Sequence, residues 1–111
     1  MPVTTFAVPV LPGKTEAWKN AVAEIKGARK ADYEESRRRM GVSREVVSLQ
    51  STPQGDVIVV FLEASDPGAV VAKYLSSDAP FDKWFADTVL RGVHGITAAP
   101  PANQTSIDWR S

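Results

Sequence analysis

The chain has 111 residues, 43% of them apolar and 23% charged, which is the size and make-up of one globular domain with room for a real core. Thirteen basic and thirteen acidic residues cancel, so no net field draws nucleic acid or an anionic membrane surface. The absence of cysteine excludes disulfides, thiolate nucleophiles and thiolate metal ligands, and makes a reducing cytoplasm the expected setting.

The opening MPVTTFAVPV lacks the basic and long apolar regions of a signal peptide, and no run is long enough to suggest a membrane span. Residues 3–11, VTTFAVPVL, read as a strand ended by the turn signal Pro12-Gly13. Pro9 cannot donate to a ladder, so it belongs near the strand end or on an unpaired edge. From Thr15 to Met40 the pattern is helical, with Trp18, Ala21, Val22, Ile25, Ala28, Tyr33 and Met40 on one stripe and Gly41 as the stop. Gly27 marks either a bend or a break into two helices. Glu34 with Arg38 and Glu35 with Arg39 are i,i+4 pairs in the favourable order.

REVVSLQS (44–51) and DVIVVFLEA (56–64) are strands joined by TPQG, a hairpin with Gly55 in the turn. Asp66-Pro67 supplies an N-cap and a first-turn proline for a short helix through Ser76. Asp78 is the expected cap of the next helix, which carries Phe81, Trp84, Phe85, Thr88 and Val89 at helical spacing and ends at Gly92. TAAPPANQ is a loop, and TSIDWR (105–110) reads as a last strand. The order β-α-β-β-α-β is the ferredoxin-like α+β plan: one domain over residues 1–111, with four antiparallel strands and helices on one face. Residues 97–111 are its extended C-terminal segment.

The stretch VIVVFL (57–62) does not alternate apolar with polar, as a strand with one wet face should. Val57, Val59 and Phe61 point one way, and Ile58, Val60 and Leu62 the other. Helices in so short a chain cover only one face of the sheet. Either a greasy central strand is shielded by loops, or a second copy packs on the open face; the second reading is favoured, as a homodimer.

With these features in view, the plan resembles the dimeric α+β barrel superfamily, which includes antibiotic-biosynthesis-monooxygenase-like and stress-responsive proteins. PVLPGKTEAW, YEESRRRMGVSRE, LQSTPQGDVIVVFLEASDP and PFDKWFADTV…VHG look more closely like a family of small bacterial proteins of unknown function. The resemblance spans nearly the whole chain. It implies a dimeric barrel with a pocket between concave sheet and helices. Members of the superfamily include enzymes that oxygenate without a cofactor, haem binders, isomerases and dehalogenase-like enzymes.

The residues themselves offer few candidates. His94 is the only imidazole and suits a general base; placed just past a helix end, it equally suits capping the last carbonyls. One histidine without cysteine makes a metal site unexpected, and no cofactor is expected. Continuing the inner stripe of the long helix gives Arg29, Asp32, Tyr33 and Ser36. They either overhang the sheet in solvent or line a polar cavity, where Arg29 or Arg37 holds an anionic group and Tyr33 donates a hydrogen bond. The RRR run at 37–39 is compensated by Glu34 and Glu35 and reads as a solvated face.

Glu63 is a ligand-site candidate if buried, and a rim residue otherwise. Ser48 and Gln50 are weaker ones, and Trp84 is either core or a stacking wall. No triad, phosphate loop or dinucleotide fingerprint is present. The leading expectation is a protein that binds a small organic molecule, or acts on it without a cofactor in a monooxygenase-like or isomerase-like reaction, with His94 as base. The alternative is a non-catalytic structural or regulatory homodimer with a packed interior.

Overall fold

The computed structural model describes residues 1–99 and 103–111. Its elements are β1 (Val3–Pro9), α1 (Thr15–Lys26), α2 (Lys30–Arg39), β2 (Val42–Thr52), β3 (Gly55–Ala64), α3 (Val70–Ser76, preceded by a 3-10 turn at Pro67–Ala69) and α4 (Pro80–Phe85). The chain is α+β, with one antiparallel three-stranded sheet in the order β1-β3-β2. No described helix is long and apolar enough to cross a membrane.

The apolar strand lies at the centre, as its composition requires. β3 places Ile58, Val60 and Leu62 against Val8, Phe6 and the helices, with Ile58 and Leu62 1% and 2% exposed. Val57, Val59 and Phe61 face outward with Val46 on β2 and Thr5 and Ala7 on β1. Among the described residues no helix packs on this second face: Val46 is 42% and Val59 37% exposed, and Arg44 lies over the Phe61 ring at 5.7 Å. Both β1 and β2 are edge strands.

Pro9 is the last residue of edge strand β1, where its missing N–H leaves no gap in the ladder. The strand is shorter than the expected 3–11. Beyond Pro9, Val10 N–H still reaches β3 at the Asp56 carbonyl, and Leu11 N–H turns away to that of Val93. The expected strand at 105–110 is not formed: these residues are exposed and outside the sheet, although Thr4 Oγ1 donates to Asn103 Oδ1 at 3.1 Å. The expected sequence of four strands therefore reduces to three.

Gly27 breaks the long helix into α1 and α2. The break resets the phase: Ala28 and Asp32 become exposed, while Ser36 and Arg37 are buried at 0% and 8% exposure. Gly41 has φ +76°, and a Cβ there would collide with the Ser65 side chain, so only glycine makes the turn from α2 into β2.

α4 starts at Pro80 without help from Asp78, which is exposed. No side chain caps α4, whose N-cap is Ala79; Ser77 Oγ accepts from Ala79 N–H and so fixes the turn that leads into it. After Phe85 the helix widens into π-helical turns over Ala86–Arg91. This shifts the buried stripe: Ala86, Val89, Leu90 and Val93 reach the core, and Trp84 and Thr88 are only partly buried. His94 N–H then bonds the Val89 carbonyl, a five-residue spacing that swings the imidazole inward beside β1.

Candidate functional site

A cavity of about 610 Å³ lies between the inner sheet face and the helices. Its walls are mainly apolar: Phe6, Val8, Ile58 and Val60 from the sheet, Trp18, Val22 and Ile25 from α1, Val71 and Leu90 from the helices beyond. Two separate helices, α1 and α2, contribute to its wall, and its exposed lining residues are Lys26, Lys30 and Val47, at the end of α1, the start of α2 and on edge strand β2.

His94 lines the end of the cavity near the finish of β1. It is 7% exposed, and its side chain bonds no helical carbonyl. Its Nδ1 sits 2.8 Å from the Pro9 carbonyl. A carbonyl only accepts, so Nδ1 carries the proton and Nε2 of the neutral ring holds a lone pair. Nε2 makes no hydrogen bond among the described residues, where no sealed-off side-chain nitrogen or oxygen lacks a partner; it is therefore not sealed off, on a residue that lines the cavity. Burial pulls the imidazole below the ordinary histidine value, and the Pro9 bond offsets this only in part. The ring is a neutral base at pH 7.

The opposite end is polar and almost fully satisfied. Arg37 Nε donates to Glu45 Oε1 at 2.9 Å, and Tyr33 Oη donates to the same oxygen at 2.7 Å. Arg37 Nη1 donates to the Tyr74 hydroxyl. Tyr74 must then spend its one proton on Ser36 Oγ (2.5 Å), and Ser36 its own on Asp82 Oδ1 (2.5 Å). Arg39 grips both Asp82 oxygens at 2.9 and 3.2 Å, and Ser77 adds a third donor at 2.6 Å.

Three rings surround the Arg37 guanidinium, with centroids of Tyr33, Tyr74 and Phe85 at 4.6, 4.9 and 4.6 Å. Desolvation works against this buried charge, but Glu45 and the two tyrosine oxygens outweigh it, so the guanidinium stays ionised. Burial and then Glu45 push the Tyr33 phenol up to about 12, keeping it a donor.

The structure brings His94, Tyr33 and Arg37 to one cavity but not to one point. Arg37 is tied to Glu45, opposite Leu62, and His94 to Pro9, opposite Val57. The stretch from Val57 to Leu62 is about 16 Å of strand, so the two groups are anchored well apart along the cavity. Arg29 and Trp84 stack on each other at 4.0 Å and do not line the cavity, and Arg29 Nε is held by Glu24 at 3.2 Å. Glu63 lies on the outer sheet face, half-buried and accepting from Ser43 Oγ at 2.7 Å. Ser48 and Gln50 are on that same face and exposed.

Sequence reasoning missed Glu45, Tyr74 and Asp82, which complete the polar end, and Lys26 and Lys30 at the mouth. The run Tyr33, Ser36, Arg37, Met40 at helical spacing was the available signal for the first group. Nothing local marks Asp82, which pairs with residues of α2 more than forty positions away.

A scan of protein-family models, a search of curated proteins and a search of solved structures each return no match to this chain. The site's meaning therefore rests on its own geometry.

Proposed function

We propose that this chain binds a small organic molecule in the cavity between sheet and helices and, through His94, performs proton-transfer chemistry on it without a resident cofactor. The cavity carries the reading: about 610 Å³ of mostly apolar space is a typical small-molecule site, whereas the alternative, a structural dimer with a packed interior, would have no use for it.

Within that space the only open, neutral nitrogen base on the described residues is His94 Nε2. It would take a proton from an acidic C–H or O–H of the bound molecule. An isomerase-like outcome, in which the proton returns to a different atom, needs no further reactant and is preferred over a monooxygenase-like one. A thermal-shift screen with apolar acids, phenols and ketones tests the binding step, because a ligand that only the folded state takes up raises the melting temperature. If no compound at saturating concentration raises it, the reading falls.

We also propose the homodimer, and with it the dimeric α+β barrel that the sequence resemblance implies. The support is the uncovered outer face, where Val46, Val59 and Phe61 form an apolar centre between Thr5, Ala7 and Ser48. The unpaired edge of β1 would take residues 105–110 as the fourth strand once a second copy is in place. Light scattering at micromolar concentration should give twice the 12.0 kDa chain mass. Val59→Lys should give single chains, since two-fold symmetry sets like charges face to face. A single-chain mass for the unaltered protein would contradict the dimer.

A further inference from the structure

The cavity has a direction. Its exposed mouth, with Lys26 and Lys30, lies at the end of α1 and the start of α2, and its polar group, with Tyr33, Arg37 and Glu45, lies further along α2 toward its finish. Trp18 and His94 lie toward the other end, beside the start of α1 and the finish of β1. From Trp18 to Lys26 the helix covers about 12 Å. Between them the lining is Val22, Ile25 and the inner strand residues, with no polar side chain among these.

Charge is distributed unevenly along this axis. The Arg37 guanidinium is matched by Glu45, and the mouth carboxylate Glu34 is matched by Arg38 at 3.3 Å. Glu24, the nearest other acid on α1, is held by Arg29 at 3.2 Å. Lys26 and Lys30 have no carboxylate partner among the described residues. The mouth thus carries two unmatched positive charges over an apolar shaft.

Building on the small-molecule reading above, we infer that the ligand is an elongated amphipathic carboxylate. Its head sits at the mouth between Lys26 and Lys30, and its apolar body runs down the shaft toward Trp18 and His94. The head is a carboxylate rather than a phosphate ester: the free donors are two flexible ammonium groups, with no open arginine fork to grip a dianion. Arg37 has given Nε and Nη1 to Glu45 and Tyr74 and keeps only Nη2, so no two-pronged fork is left for a dianion. This orientation presents the far end of the body, not the head, to the base, so the acidic C–H or O–H of a substrate lies at that far end.

The test is isothermal titration of the intact protein with octanoate, decanoate and dodecanoate below their micelle concentrations, beside decyl phosphate, decanol and decyltrimethylammonium. Decanoate should bind about tenfold more tightly than decanol at low salt, the preference shrinking as salt screens the exposed lysines. It should vanish in the Lys26→Glu/Lys30→Glu double variant, whose two surface changes leave the core untouched, as its unchanged circular dichroism would show. Equal binding of decanoate and decanol, tighter binding of decyl phosphate, or an unaltered preference in the double variant would each overturn the head-group assignment while leaving the cavity reading intact. If none of these chains binds but a compact compound from the thermal-shift screen does, the elongated ligand is wrong and the cavity reading stands; if neither binds, both fail.

Discussion

Replacing Asp82 by alanine should lower the folding free energy by about 3 kcal/mol, a fall in melting temperature of roughly 12 °C or more for a domain this size. The carboxylate is fully buried and receives four hydrogen bonds, from Ser36, Ser77 and twice from Arg39. It ties α2 to α4 and the turn before it. Arg39 is 42% exposed, so its charge returns to water when the partner goes, and this holds the loss to the low end for a broken buried pair. The larger damage falls on Ser36, itself wholly buried, whose proton loses its acceptor, and on the Tyr74–Arg37 chain behind it.

The same carboxylate makes stability depend on acid. Burial by itself would raise its affinity for a proton, but Arg39 and the two serine hydroxyls outweigh burial and hold the group below the usual aspartate range. A depressed native value means that the unfolded chain binds the proton first. Its contribution is therefore complete above the unfolded value, near pH 4, and is lost as pH falls from there through the native one. Urea unfolding from pH 6 to pH 2 should show this loss in the unaltered protein and a much flatter profile in Asp82→Asn. An Asp82→Ala protein within 1 kcal/mol of the original would show that the network is not what joins these helices.

How much of this could be read in advance depends on where the information sits. The inner and outer sets on β3 follow from period-two alternation, which is local, so the split of Ile58, Val60 and Leu62 from Val57, Val59 and Phe61 was legible. The break at Gly27 was legible as one of two outcomes. Its consequence was not, because the direction of α2 depends on tertiary packing, and a change of phase is what buries Arg37 and exposes Asp32.

The π-helical turns after Phe85 were hidden for a similar reason. Of the α-helical stripe Phe81, Trp84, Phe85, Thr88 and Val89, packing buries Phe81 and Val89, leaves the other three partly buried and adds Ala86, Leu90 and Val93. TSIDWR has strand composition but no partner within the sheet, and composition cannot say whether a partner is present. Of the candidate residues, Tyr33 and Arg37 on α2 and the single histidine reached the cavity, while Asp32 stayed in solvent and Ser36 was buried behind Tyr74. Arg29, Trp84 and Glu63 did not, since each met a closer local partner in Trp84, Arg29 and Ser43.

The second large effect is expected at His94. Asparagine is the informative replacement, because its amide nitrogen can take the place of Nδ1 and keep the bond to the Pro9 carbonyl while the Nε2 lone pair disappears. With a substrate in hand, His94→Asn should lower kcat by about 10²- to 10⁴-fold, the usual worth of a positioned general base. KM should change little, since the cations that hold the head group lie at the other end of the cavity.

The pH profile distinguishes a base from a wall. Burial depresses the imidazole's affinity for protons, so activity should hold down through the ordinary histidine range and fall only below it. Stability moves with the same group. The unfolded chain takes up the proton near pH 6.5 and the folded chain at lower pH, so the original protein should lose stability as pH drops from 6.5, whereas His94→Asn should not lose it in that window. A variant that keeps full kcat would remove His94 from the chemistry. Unchanged kcat together with a flattened stability profile would assign the imidazole to the β1 junction alone, holding the end of the π-helical turns against Pro9.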